Sequence, residues 1–397
     1  MNIPSIMNIA KRQSGFTLLE ILVALVLGVG LLAATISMQL QHKKGFTYST
    51  NKLQMQTNAK FAFEFIGRSL RSAGGMGCKT GLEFKGDAVN EDNGCFGGVC
   101  IEFNNPMIAY ANFVPGFEVQ GYEYVGTGLI PSPSTAFDFS SLGYYNDNSD
   151  VISIAGGYGE IYSLEEGQVL AATSGDFKLD LTNVSDVDLK QSQYGMLTSC
   201  KGAKIFKVTN TDTDIDAGNI QWGGGGGDTG NRSGQLGSEA YSLVSSGEDR
   251  EFRRAAVTSY YAGTHPHNTA TGTPVLYQDV DGESHQLVTG VEEMHILYGM
   301  SDNPAFRNVA DRYVTADTIA AESTLLDNAW ERVASVRIGL IMRSTDEVYE
   351  DDKVQNITLD CVSHAQLTKT DKFARSAYCS EVSLRNRLVG TRTGNKD

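Results

Sequence analysis

The sequence predicts an α+β chain: one long N-terminal helix, membrane-spanning in its first half, packed on a β-rich globular domain. Three observations carry this. The 23 residues from Phe16 to Met38 form an apolar run with one charge, Glu20. No proline follows that run until Pro106, so nothing in the backbone forces the helix to stop early. Beyond it, short runs of β-formers alternate with Gly, Asn, Asp and Pro clusters, the pattern of strands and turns.

The elements follow in order. Residues 1–15 read as a leader carrying Lys11 and Arg12, with Met1 and Met7 both available as starts. Residues 16–38 read as the membrane half of the helix. At 1.5 Å rise per residue the run reaches about 35 Å, enough for a hydrocarbon core of about 30 Å. A secretory signal peptide has a shorter apolar region and is cut after it. Here the basic leader and Gly15 precede the run, so cleavage at Gly15 would leave it in the mature chain. Glu20 is then costly, at about 2.5–3.5 kcal/mol for a charge deep in a membrane helix. It either snorkels to the headgroups or meets a partner. The amine freed on Phe16 by cleavage would lie at the same depth, offering Glu20 a counterpart on a neighbouring subunit.

At these residues the chain resembles the type IV prepilins. Lys11-Arg12-Gln13-Ser14-Gly15 followed by Phe16-Thr17-Leu18-Leu19-Glu20 is similar to their processing site. The resemblance implies removal of the leader after Gly15 by a prepilin peptidase, and N-methylation of Phe16 by the same enzyme. Gly28, Gly30 and Ala33 also spell a dinucleotide fingerprint. That reading fails without a preceding strand, and the small residues read instead as helix contacts or a flexible point.

Residues 39–75 read as the amphipathic half of the helix. Phe46, Leu53, Phe61, Phe65 and Leu70 are apolar among polar residues, with Phe61, Phe65 and the Ile66–Leu70 turn suited to one buried face. Gly74-Gly75 is the expected stop.

Residues 76–397 read as the β-rich domain. Expected strands are Val99–Phe103, Phe117–Val125, Val151–Ala155 and Lys204–Thr209, then Ala255–Tyr261, Pro274–Gln278, Val288–Tyr298, Val333–Arg343 and Glu381–Leu388. Val336, Ile338, Leu340 and Met342 alternate with Arg337, Gly339, Ile341 and Arg343, which predicts a strand with one buried face. Residues 210–250, with the glycine run Gly223 to Gly227, read as a mobile loop. Six cysteines suit an oxidising compartment and allow 15 pairings. Cys361 and Cys379 bracket a short segment and are the first choice for a bridge. Cys78, Cys95 and Cys100 lie close together, and one of them is a candidate to reach Cys200.

A second resemblance lies in the last third. Ala256-Val257-x-x-Tyr260-Tyr261, Leu276-Tyr277, Leu287-Val288-x-Gly290-Val291-Glu292 and Leu297-Tyr298-Gly299 resemble the globular part of PilW-type minor pilins. So do Trp330-x-x-Val333 with Val336-Arg337-Ile338, and Leu384-Arg385-Asn386-Arg387. The resemblance covers roughly residues 11–75 and 250–390. It implies a pilin-like fold and a low-abundance subunit that primes type IV pilus assembly near the tip, with roles in adhesion and twitching. Implied partners are other minor pilins, the major pilin, the inner-membrane assembly platform and a tip adhesin. Implied location is the inner membrane, single-pass with a cytoplasmic N-terminus, and then the pilus at the cell surface. The J-type pseudopilins of type II secretion, or a DNA-uptake counterpart, are the alternative.

Other classes fare poorly. Net charge is −15, and −17 once Lys11 and Arg12 leave with the leader, which argues against a nucleic-acid surface. No G-x-S-x-G elbow, H-E-x-x-H or Walker A sequence is present, so no enzyme is expected. No cofactor or metal is expected either. Asp212-x-Asp214-x-Asp216 departs from the EF-hand at its sixth and twelfth positions, Ala217 and Gly223, leaving only an irregular calcium site open there and at Asp279, Asp281 and Glu283. Cys95-x4-Cys100 lacks a second zinc pair. His265, His267 and His285 read as surface histidines.

Overall fold

A computed structural model describes residues 17–76, 79–80, 95–96, 99–101, 118–125, 129–130, 145–146, 148–166, 170, 175–182, 187–200, 202–223, 231, 250–264, 272–302, 309–323, 329–362 and 366–384. Helix α1 runs unbroken over Leu18–Ser72. It ends at Ala73, and Gly74 then turns at φ +69°, a left-handed conformation that suits glycine.

The strands are β1 (Gly75–Met76), β2 (Lys79–Thr80), β3 (Cys95–Phe96), β4 (Val99–Ile101), β5 (Val119–Tyr124), β6 (Leu129–Ile130), β7 (Val151–Ser163), β8 (Asp176–Lys178), β9 (Tyr194–Thr198) and β10 (Ala203–Lys207). Helix α2 (Asp212–Asp216) and β11 (Asn219–Gln221) follow, then β12 (Glu251–Thr264), β13 (Pro274–Val280), β14 (Glu283–Thr289), β15 (Val291–Met300) and β16 (Arg312–Val314). Helix α3 (Ala316–Glu322) and a 3-10 turn (Ala329–Arg332) lead into β17 (Val333–Glu347), β18 (Lys353–Thr358), β19 (Gln366–Asp371) and β20 (Phe373–Ser383).

Among the described residues the larger sheet runs β3-β4-β10-β9-β12-β7-β5-β6, with β13 and β14 branching from β12. β12 is long enough to pair with β9 through its first residues and with β13 through its last, while β7 lies along its other side. The second sheet has the order β16-β15-β17-β20. Helix α1 packs on β17 and β20 of this sheet, touches the end of β14 near Asn58, and reaches β7 at its C-terminal end. The main core sits between them. Met55, Ala59, Ala62, Ile66 and Leu70 meet Val336, Ile338, Leu340 and Met342 of β17, with Tyr260, Leu276 and Trp330. A second core under the larger sheet is aromatic: Phe177, Phe206, Trp222, Phe252 and Tyr162.

Four expectations are corrected. First, α1 does not bury Phe61 and Phe65, which are 49% and 38% exposed; Phe46 and Leu53 face outward too. The buried stripe is Met55, Ala59, Ala62, Ile66 and Leu70, spaced by three and four residues. The small alanines let the helix approach the sheet closely, which bulky phenylalanines would prevent. Second, Val288–Tyr298 is not one strand. Gly290, at φ +92°, separates β14 from β15, and an added Cβ there would lie 3.0 Å from the Arg343 carbonyl oxygen. Third, β17 is buried on both faces. The β18–β19 hairpin covers Ile341 with Ile357, Leu359 and Leu367. Fourth, the strand expected at Glu381–Leu388 begins upstream, at Phe373, and ends at Ser383, because β17 pairs along Phe373–Ser383; residues 385–388 lie outside the described residues. Of the expected Val99–Phe103 and Phe117–Val125 strands, Val99–Ile101 and Val119–Tyr124 pair, and residues 102–103 and 117 lie outside the described residues.

Residues 210–250 also differ from a loop where they are described. Thr211 caps α2 by accepting from Asp214 N at 3.3 Å, and Ile215 is buried. β11 pairs with β8, and Trp222 is fully buried. Asn231 is buried too, accepting from Lys207 N at 2.9 Å and donating to Lys207 O at 2.7 Å. The glycine run beyond Gly223 lies outside the described residues.

Candidate functional site: the N-terminal helix

The helix starts at a capping box. Thr17 is in extended conformation, and its hydroxyl oxygen accepts from Glu20 N at 3.2 Å. Glu20 returns the contact: its Oε2 accepts from Thr17 N at 2.9 Å and from the Thr17 hydroxyl at 3.0 Å. Two otherwise orphaned backbone donors are satisfied reciprocally. Both contacts fall on Oε2, so Oε1 accepts no bond among the described residues. Sequence reasoning weighed Glu20 only as a charge and missed this second use. The signal was present, because Thr17-x-x-Glu20 is the capping-box spelling. Gly15 and Phe16, the expected cleavage and methylation residues, lie outside the described residues.

From Leu18 to Thr50 no side chain of the helix is buried. Leu18, Leu22, Leu25, Val29, Leu32 and Ile36 are all more than half exposed. Gly28 and Gly30 meet nothing within 4 Å, so they make no helix contact inside this chain. The run is long and apolar enough to cross a membrane, and none of it is covered by the protein. Lys44 makes the first fastening to the β domain, through Glu350 at 2.7 Å. Beyond it the helix is anchored by Asn58, which donates to Thr289 O at 3.0 Å, and by Ser69, hydrogen-bonded to the Tyr260 hydroxyl at 2.7 Å. The outward side keeps Phe46, Leu53 and Phe61 exposed. The second half therefore lays one apolar face on its own domain and turns a mixed polar and apolar face outward, while the first half is apolar and uncovered by the described residues.

The cysteine pair Cys361–Cys379 forms a disulfide, with Cα atoms 6.2 Å apart, tying the hairpin side of β17 to β20. Cys200 is disulfide-bonded as well. Cys95 and Cys100 stand opposite each other in the β3–β4 register, and Cys100 lies beside Lys204 of β10. Cys78 lies outside the described residues.

The acidic turns serve the fold. Asp279 accepts from Gly282 N at 2.9 Å and from the Ser284 hydroxyl at 2.8 Å, closing the β13–β14 turn. Asp281 pairs with Arg254 at 3.0 Å and accepts from Val257 N. Asp212 accepts from Gln191 N at 2.6 Å. Among the described residues no group of three His, Cys, Asp or Glu is placed to hold a metal. His265 and His267 lie outside them, and His285 is on the exposed face of β14. The frequent tyrosines pack inward: Tyr261 stacks on Tyr277 with centroids 5.3 Å apart, and both are buried.

Two family models match the chain. Residues 10–35 match the prokaryotic N-terminal methylation motif, and residues 259–386 match type IV pilus-assembly protein W. No curated protein and no solved structure matches the chain significantly.

Proposed function

We propose that this chain, which matches a prepilin-type methylation motif at its N-terminus and type IV pilus-assembly protein W over residues 259–386, is a minor pilin that joins a type IV pilus through its N-terminal helix. The observation that carries this reading is the helix itself. The outer face of its second half, where the helix lies on the β domain, mixes exposed Leu53, Phe61 and Phe65 with exposed Lys52, Lys60, Glu64 and Arg68, whereas its first half presents an apolar surface on every side. Such a surface is stable in only two settings, lipid and a bundle of similar helices. A subunit that waits in the inner membrane, N-terminus cytoplasmic, and then enters a filament core meets both in turn.

In this reading prepilin peptidase cuts after Gly15 and methylates Phe16. Glu20 then receives the new amine of an adjacent subunit through Oε1, while Oε2 keeps the helix capped. The partners are the major pilin, other minor pilins and the assembly platform, with priming near the tip and contact with a tip adhesin. The chain works as a structural subunit and not as an enzyme. The pilus-assembly match over 259–386 supports a pilus over a secretion pseudopilus.

Mass spectrometry of the N-terminus of chain recovered from membranes tests the reading. The expected first residue is N-methylated Phe16. Recovery of a chain still beginning at Met1 or Met7 from cells with an active peptidase overturns it.

A further inference from the structure

Where α3 meets the larger sheet, two carboxyl groups are hydrogen-bonded to each other: Glu123 on β5 and Asp317 in the first turn of α3. Two carboxylates cannot bond directly, because neither has a donor, so one of them carries a proton. The Thr315 hydroxyl lies within reach of both carboxyls, but Asp317 alone also accepts from a backbone donor, Thr318 N at 2.7 Å. Glu123 is therefore the protonated partner. Behind it, Asp150 is buried and accepts from Tyr124 N at 3.2 Å and Ile296 N at 2.8 Å. The Tyr298 hydroxyl lies among these groups, fully buried and without a hydrogen-bond partner among the described residues. It is an idle donor beside a carboxyl that holds its own proton.

We propose that the Glu123–Asp317 contact is a proton-dependent latch fastening α3 to the edge of the larger sheet, and that loss of the proton turns Glu123 from Asp317 toward the Tyr298 hydroxyl. With the proton gone, two like charges face each other in a half-buried site, and the fastening becomes a repulsion. Helix α3 contributes Ala316 and Ile319 to the main core, so its release uncovers apolar surface. The titratable groups around the site are Tyr122 of β5, Asp150 before β7, Glu293, His295 and Tyr298 of β15, and Asp317 of α3. His295 is held by Glu293 at 3.1 Å and favours the charged form of Asp150.

Burial first, then the charges of Asp150 and Asp317, pushes Glu123 up to about 8 from an ordinary 4.5. Burial likewise pushes Asp150 up to about 6. Burial raises Asp317 too, but its hydrogen bonds from Thr315 and Thr318 outweigh this and lower it overall. The sign follows by linkage. Below the ordinary value both the fastened and the released states hold the Glu123 proton, and the latch is at full strength. As pH climbs toward 8 only the released state gives the proton up, so release gains. Above that value both states are ionised and the profile levels off.

Hydrogen–deuterium exchange of the full chain in detergent, corrected for the intrinsic pH dependence of exchange, reads α3 and β17 in one sample. The α3 amides are expected to lose protection between about pH 5 and pH 8, by up to about tenfold per unit, while β17 stays constant. Glu123→Gln keeps a donor toward Asp317 without a titrating proton, so its α3 profile is expected to be flat. Asp317→Asn supplies a donor from the other side and gives the same result. Protection of β17 reports whether each variant has folded. A flat wild-type profile overturns the latch, as does a slope that survives in either folded variant.

Discussion

At the residue scale, Glu20 holds two offices that a single substitution can separate. Glutamine preserves the reciprocal bond of a capping box and removes the charge. Alanine removes both. If the acid matters for its charge, Glu20→Gln and Glu20→Ala fail equally to enter pili, as measured by immunoblot of sheared filaments against the membrane fraction. If it matters for the cap, Glu20→Gln assembles as wild type and only Glu20→Ala falls, with the reciprocal bond to Thr17 N lost and the helix start weakened. The charge reading predicts the first outcome. This position shows how far the sequence could be read. A lone acid in an apolar run is visible at once, and so is Thr17 three places before it. The latch at Glu123 and Asp317 was not legible, because 194 positions of chain separate its halves and only the packed fold brings them together.

At the element scale, the β18–β19 hairpin was the part least visible in advance. Alternation in β17 pointed to one buried face, since Arg337 and Arg343 punctuate the other. Both arginines are only partly covered and find local partners. Arg337 lies over the Tyr313 ring and pairs with Glu381 at 3.1 Å, and Arg343 lies over Phe373. Between them Gly339 leaves room for Leu359 and Cys361, whose side chains come within 3.4 Å of a Cβ built there. The disulfide then closes a loop with sequence separation 18. Chain-entropy reasoning for a loop of that order gives about 3 kcal/mol. The double variant Cys361→Ala/Cys379→Ala is expected to lose about that much in urea unfolding of the detergent-solubilised chain, with the hairpin opening first in exchange measurements. The bridge was legible from spacing alone; the surface it protects was not, since nothing local marks a residue's second face as covered.

At the scale of the whole molecule, the chain divides by what each part needs around it. Residues 18–43 make no buried contact with the β domain, whereas Asn51 through Leu70 supply part of its core. A chain beginning at Lys44 is therefore expected to fold, remain monomeric in aqueous buffer by size-exclusion chromatography, and melt within a few degrees of the full chain in detergent. One beginning at Gly74 loses the helix side of the main core and is expected not to fold. The α+β class and the two halves of the helix were legible because hydrophobicity over tens of residues is a strong signal. The inward stripe was read rightly at Ile66 and Leu70 and misread at Phe61 and Phe65, because phenylalanine dominates any count of apolar residues, yet small alanines are what close packing selects.

The helix passes from its bare half into the β domain without interruption, running straight through Gly67, and no proline falls between Asn51 and Leu70. A pull on its membrane end is thus delivered along a stiff shaft and shared over about five turns of packed side chains. Load of that kind must slide a whole row of contacts at once, rather than peel them singly, so the joint between anchor and domain is built to bear tension.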